Sequence, residues 1–363
     1  AQARRFPTGA AAAAVVPATK PSPMHNDISD VPGIVTGHAG CDTLLSGVTA
    51  CLFSPPATAA LAVLGGAPAA RDTENLDPAA AVDHVDAITL SGGSGFGLDA
   101  GGGVQAWLRE QERGFPVGAG RVPIVPTAIV FDLSNGGDKE WGRFAPYRDL
   151  GYAAAAAASD GPVALGSVGA GLGATTVNFK GGIGSASAET SYGARVGALM
   201  VVNALGSATI GDGPHFWAAA LEDASEFGGH GLPTHIDDAG RQPRWKGGHP
   251  PAGMPHATTI GLVATDATLT KAEAQRLAIA GHDGFARALR VTHALFDGDT
   301  LFAASTKRRP PPATPLETIE LGVVAADCVA RAIARGVYPA TNPGAGYAGP
   351  PAYGDLHGWQ TVN

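Results

Sequence analysis

The sequence predicts an α/β layered body in which helices cover both faces of the sheet. Three observations carry that expectation. Apolar runs of strand length recur, at residues 47–53 (GVTACLF), 195–203 (RVGALMVVN) and 258–266. Between them lie helix-length segments rich in small residues, which let a helix sit close against a neighbouring layer. With 363 residues, 45% of them hydrophobic, the chain can bury a sizeable core.

Composition narrows the function. Only 15% of residues are charged and the net charge is −8, which argues against a nucleic-acid partner. The 52 glycines, about twice the usual share, lack a collagen period and read as tight turns and close backbone packing. Three cysteines are too few and too scattered for a disulfide scaffold or a zinc cluster, and Cys51 and Cys328 read as buried small side chains. No run of 18 uncharged apolar residues marks a membrane helix, so no membrane partner is expected. Residues 1–30 read as a flexible arm, its apolar stretch 10–16 following Arg4 and Arg5. A cytoplasmic protein is expected, or a secreted or periplasmic one if that stretch is the remnant of a targeting segment.

In chain order, residues 30–43 are turn-rich and 47–53 form the first strand. A short strand at 86–90 ends in SGGSGFG (residues 91–97), and a helix follows over 98–111 with Val104, Trp107 and Leu108 on its apolar face. Residues 122–133 are strand-like, bent near Pro123 and Pro126. A small-residue helix is expected at 152–159, a hairpin or two short strands within 170–187, a buried strand at 195–203 and a helical stretch at 216–222. Residues 227–255 are nearly all turn formers and charge, a length that often marks function or mobility. Thr270 with Glu273 forms a capping box that opens a helix to about Leu289. A strand at 300–305 and a helix at 316–335 complete a single domain over 31–336, and 337–363 form a peripheral tail.

Candidate chemistry is scattered. Thr258 stands where a flexible polar segment becomes a buried strand, and cleavage before it would leave an amine and a hydroxyl at a rigid strand start. Lys180 is either a stem lying across the surface or a desolvated base in a pocket. Asn203 either closes its strand as a turn residue or aims its amide at a carbonyl as an oxyanion donor. Asp297 and Asp299 share a face if extended and otherwise form a turn, and no companion at metal-ligand spacing supports a metal. Residues 169–174 (GAGLGA) suggest a dinucleotide loop, but β-branched residues and Lys180 with more glycine follow where that motif should open a helix. The SGGSGFG glycines, with Ser91, Gly92, Gly93 and Ser94, either line a pocket with N–H groups or turn tightly into the helix.

Taken in order, VDAITLSGGSGFGLDAGGGV, GSVGAG followed by KGG, VVN, ATTIGLVATDATLT and FDGDTLFA resemble one family. It is the self-cleaving N-terminal-nucleophile hydrolases that comprise the β-aminopeptidases, the L-aminopeptidase/D-esterases and the nylon-oligomer endohydrolases. The resemblance covers about residues 31–336 and implies a four-layer αββα sandwich. It implies autocleavage between Ala257 and Thr258 into a large part (31–257) and a small part (258–336). Thr258 would be the nucleophile, Lys180 the catalytic lysine, Asn203 the oxyanion-side asparagine, and Asp297 and Asp299 the acidic pair. Thr258 and that pair place the chain nearest the nylon-oligomer branch. Ala257 departs from that branch's usual Asn, Asp266 stands where relatives commonly have Asn, and Phe131, a pocket candidate, stands where several have tyrosine.

The implied function is a self-processed amidohydrolase acting on small peptides or linear amide oligomers, 6-aminohexanoate (nylon) oligomers among them. It needs no cofactor and no metal. The fragments stay together as a tight heterodimer, and relatives form tetramers of such heterodimers. One alternative is an aminopeptidase of the same fold, which an acidic group placed for the substrate amine would favour. The other is an uncleaved, non-enzymatic assembly protein.

Overall fold

The computed structural model describes residues 24–247 and 256–359. Strands Ile34–Cys41 (β1) and Ser46–Val63 (β2) form an antiparallel pair, followed by Ala70–Arg71 (β3) and Val85–Ser91 (β4). Helix Ala100–Glu110 (α1), the hairpin Phe115–Val117 (β5) with Gly120–Val122 (β6), and Thr127–Ile129 (β7) come next. Helix Tyr147–Ala156 (α2) precedes Ile183–Glu189 (β8) and Arg195–Asn203 (β9). The one-turn helix Asp238–Arg241 (α3) is followed by Thr258–Ala267 (β10), Lys271–Ala288 (α4) and Thr300–Arg309 (β11). Pro315–Val337 (α5) and Tyr353–His357 (α6) complete the described chain.

β2 joins two sheets. Its first half pairs with β1 and β4, and its second half, from Thr58, pairs with β11. The pairing with β4 shifts between Leu52 and Ala57, across Pro55 and Pro56, which have no N–H to give a ladder. One sheet therefore runs β3-β7-β4-β2-β1 and the other β2-β11-β10-β9-β8.

Three apolar cores separate four layers. Val48, Ala50 and Leu52 of β2 pack on Ala100, Val104 and Leu108 of α1 and on Ala154 and Ala155 of α2. Cys51, Phe53, Leu199, Val201, Ile260, Leu262 and Phe302 fill the space between the sheets. Met200, Val202, Val263 and Leu301 face α4 and α5 through Leu277, Phe285, Leu321, Val329 and Ile333. This is the αββα order that the resemblance implies. Alternation along β10 sets the direction of its first residue. Ile260 and Leu262 point between the sheets and Val263 towards the helices, so Thr258 shares the inter-sheet face.

Small residues set the layer spacing. A Cβ on Gly184 would lie 1.8 Å from the Ala332 carbonyl oxygen, and one on Gly284 2.3 Å from that of Ala326. Helix ends obey the capping residues in the sequence: Thr270 and Glu273 cap α4 reciprocally, and Thr314 caps α5 just before Pro315. Cys51 and Cys328 are fully buried, and burial pushes both thiols up to about 12.

Several expectations are corrected. The turn-rich reading of residues 30–43 misses β1, because its glycines serve packing: a Cβ on Gly37 would lie 2.1 Å from the Ala154 carbonyl oxygen of α2. Of residues 122–133, Val122 ends the β5–β6 hairpin and only Thr127–Ile129, after Pro126, pair in the main sheet. Of residues 170–187 only those from Ile183 on are strand, and the predicted helix at 152–159 begins earlier, at Tyr147. Ile28 and Val31, at the end of the expected arm, are buried between the sheets, and residues 1–23 lie outside the described residues. The tail is not peripheral, since Tyr338 and Tyr353 join the core beside α5. Gly184→Ala is expected to lower stability by about 2 kcal/mol or more, because the clash is with main chain. Gly95→Ala, with nothing within 4 Å of its Cβ, is expected to stay within about 0.5 kcal/mol. Denaturant unfolding of the two variants checks this.

Candidate active site

The end of β10 is held on both sides. Thr258 pairs with Asn203 at the end of β9, and Ala257 bridges Asp297 in the turn before β11. The Thr258 hydroxyl donates to the Ala257 carbonyl at 2.5 Å, and the Gly298 N–H donates to the same oxygen at 3.1 Å. Residue 298 has to be glycine here, because a Cβ would lie 2.5 Å from the Thr258 Oγ1. A hydroxyl beside a carbonyl that an N–H already polarises is the arrangement an N-to-O acyl shift starts from.

Asp297 and Asp299 are both buried but differ in their partners. Asp299 accepts from Thr259 N at 2.9 Å through Oδ1. Its Oδ2 accepts from the Thr292 hydroxyl at 2.7 Å and from His293 N and Nδ1, both at 2.9 Å. These donors, led by His293, outweigh burial and hold its carboxyl below the usual range. Asp297 accepts from Gly298 N at 3.0 Å, and burial with the Asp299 charge beside it pushes its carboxyl up to about 8. At neutral pH the pair therefore keeps one proton, which the donor count (four on Asp299, one on Asp297) favours on Asp297.

Lys180 is fully buried rather than lying on the surface. Its ammonium donates to the carbonyls of Gly171 (2.9 Å), Ala174 (2.7 Å) and Gly181 (2.6 Å), and desolvation brings it down to about 7. The GAGLGA stretch is thus a carbonyl cradle for a cation. Asn203 does more than end a strand. Its Oδ1 accepts from Thr175 N and from Lys246 Nζ, each at 3.0 Å, and its Nδ2 donates to the Phe131 carbonyl at 2.9 Å. Burial brings Lys246 down to about 7 as well.

Lys246, Thr175 and Phe131 line a cavity of about 550 Å³ together with Asp132, Asn135 and His256, and with Ala348, Gly349 and Pro350 of the tail. The His256 ring stacks on Phe131 at 4.5 Å. Asp132 accepts from the Ser46 hydroxyl at 2.6 Å and Gly93 N at 2.7 Å, and burial raises its carboxyl. Ser91, Gly92, Gly93 and Ser94 do not line this cavity; Gly92 and Gly93 lie against Asp132 instead. A Cβ on Gly92 would lie 2.3 Å from Asp132 Oδ2, and Gly93 has φ +84°. Of the predicted pocket residues only Phe131 faces the space.

The structure adds Lys246, Asp132, Thr292 and His293 to the predicted set. A carboxylate directly after Phe131, at a strand end, is a signal the sequence carries. Lys246 lies in the long polar segment, where nothing marks it, and residues 248–255 of that segment lie outside the described residues.

Asp297 gives a pH prediction. The folded chain holds this proton to about pH 8, whereas the unfolded carboxyl releases it near 3.8. Between those values the folded state binds more protons, so this group's contribution to stability falls as pH rises. Asp297→Asn is expected to flatten that decline, measured by denaturant unfolding at pH 5 and pH 7.5.

Comparisons with known proteins identify the family. The model of peptidase family S58 matches residues 26–348. An uncharacterized aminopeptidase of Mycobacterium tuberculosis is 42% identical over 353 residues, covering 91% of this chain and 98% of the relative. A 6-aminohexanoate-oligomer endohydrolase of Kocuria sp. is 28% identical over 292 residues, covering 79% and 76%. Among solved structures, a β-aminopeptidase of Burkholderia sp. superposes with a TM-score of 0.61 at 25% identity, covering 88% of each chain. The expected placement nearest the nylon-oligomer branch is therefore corrected, since the aminopeptidase relatives are far more similar. That placement rested on Thr258 and the acidic pair, a few positions dictated by chemistry, while identity along the whole chain also reflects core and loops. By the family match and by its N-terminal-nucleophile-hydrolase fold, the chain belongs to peptidase family S58 and is a hydrolase of amide or peptide bonds.

Proposed function

We propose that the chain cleaves itself before Thr258 and then acts as an aminopeptidase, releasing N-terminal residues from small peptides or amides. The observation that carries this reading is the Thr258 hydroxyl set on the Ala257 carbonyl, with the Gly298 N–H on the same oxygen. In the first reaction Oγ1 adds to the Ala257 carbonyl carbon. The C–N bond breaks, and the hydroxyl proton ends on the released nitrogen. Water then cleaves the ester, leaving an Ala257 carboxylate and a free amine on Thr258. Alanine keeps the carbonyl that this shift needs.

In the second reaction the same hydroxyl attacks a substrate amide, and the new α-amine, of reference pKa about 8, takes its proton and passes it to the leaving amine. Water hydrolyses the acyl-enzyme. Asn203, beside Thr258 in the ladder, turns its Nδ2 from the Phe131 carbonyl to the tetrahedral oxygen. Lys180, its three donors on carbonyls, orders residues 171–181. The fragments stay together because β10 and β11, from the small part, lie between β2 and β9 of the large part.

Aminopeptidase action is favoured over cleavage within an oligomer by Asp132. Its carboxyl lies in the cavity wall, next to the residue whose carbonyl Asn203 holds. A substrate ammonium would pair with it, whereas an internal amide offers it nothing. The 42% identity to an aminopeptidase relative points the same way.

Wild-type protein is expected to run as two fragments on a denaturing gel, the smaller beginning Thr-Thr-Ile, and Thr258→Ala as one chain of 36.3 kDa. Cleavage of the alanine variant at the wild-type rate would overturn the reading. In the processed enzyme, Asp132→Asn is expected to raise KM for free-amine substrates by about tenfold or more, the worth of a charge-assisted hydrogen bond. The preference for free over N-acetylated substrates should then disappear. A preference left intact would remove the aminopeptidase assignment and leave the autocleavage standing.

A further inference from the structure

We propose that His293 is a positioning residue for the nucleophile: its Nδ1–H fixes the Asp299 carboxylate, which in turn grips the main chain at Thr259. The proposal rests on the reading of Thr258 as the nucleophile.

The argument begins with what cleavage does to a strand. Before the cut Thr258 lies inside a chain; afterwards it is a chain end, and chain ends fray unless they are tied down. On the β9 side the tie is the ladder, with Thr258 opposite Asn203 and Thr259 opposite Val202. On the β11 side pairing starts only at Ile260, opposite Thr300. The Thr259 N–H is the first main-chain donor after the catalytic amine, and it goes to Asp299 Oδ1 at 2.9 Å. A side chain thus supplies the missing rung of the ladder beside the nucleophile.

A carboxylate can serve as a rung only if its own orientation is fixed. Three donors from one short segment converge on the other oxygen: the Thr292 hydroxyl, His293 N and His293 Nδ1, all within 2.7–2.9 Å. Since the carboxylate accepts, Nδ1 carries the proton it donates, and the other ring nitrogen is Nε2. That nitrogen is buried and has no hydrogen-bond partner among the described residues. The ring packs against His282 at 4.8 Å and Phe285 at 5.4 Å. A residue placed for packing alone would avoid an orphaned ring nitrogen; one placed for its Nδ1–H tolerates it. The backbone narrows the choice further, because His293 has φ +55° and few side chains accept that region.

Two substitutions separate donor from backbone. Glycine suits the positive φ but has no donor, while asparagine suits it nearly as well and its Nδ2 reaches the place of Nδ1. In His293→Gly, autocleavage and kcat are expected to fall about tenfold or more with KM changed less than about twofold, and His293→Asn should recover most of the rate. A glycine variant as fast as wild type, glycine and asparagine variants equally impaired, or an effect on KM alone would each overturn the proposal. If the glycine variant does not fold, His293→Gln replaces it, since its donor extends to the Nε2 position instead; equal rates for Gln and Asn would then overturn it. Thr258→Ala, run in parallel, separates the two levels. Its cleavage would defeat the nucleophile reading, whereas an uncut alanine variant beside a fully active His293→Gly would defeat only this proposal.

Discussion

The pairing of β10 with β9 at Thr258 and Asn203 is the constraint on which the rest of this protein's design depends. A strand that is to be cut at its first residue has to be held by something other than its own continuity. Here β10 lies between β9 and β11, with apolar cores on both faces, so an end cut there stays where the uncut chain put it. The same placement brings three elements to one point: the end of β9 with Asn203, the turn before β11 with the acidic pair, and the carbonyl-lined segment around Lys180.

Charge in this region is arranged against desolvation. Isolated buried charges are costly and survive only when fully hydrogen-bonded. Lys180 meets that condition with three carbonyls and Asp299 with four donors, while Asp297 meets it by keeping its proton. The result is a site whose ionisation states differ from those of free side chains, as chemistry at neutral pH requires. Asp132 belongs to the same scheme, with the glycine loop behind it making room for its two donors.

The layered fold was legible because periodicity is local. Short apolar runs in β9 and β10, the capping box of α4 and the proline at the start of α5 each specify their element without help from the rest of the chain. Where the reading failed, the cause was glycine with two meanings. In residues 34–41 it signalled turns, yet Gly37 is a strand residue against α2; in residues 91–94 it signalled a pocket wall, yet it holds Asp132. Only distant neighbours distinguish a glycine that turns from one that lets another backbone approach.

Thr258, Lys180, Asn203, Asp297 and Asp299 were named from sequence, since each lies in a motif with a recognisable order, and the fold brings all but Lys180 into one hydrogen-bonded neighbourhood around β10. What the sequence determined by itself is the strands β9, β10 and β11, the helices α1, α4 and α5, and the residues with the right chemistry, because those depend on nearest neighbours and side-chain type. Tertiary structure alone decided which partners those residues have. Lys180 became a caged cation and His293 the anchor of Asp299, each across 6 positions of irregular chain, and Lys246 reached Asn203 from 43 positions away in a polar segment without periodicity. Burial and hydrogen bonding of this kind are properties of the packed layers, and no local pattern encodes them.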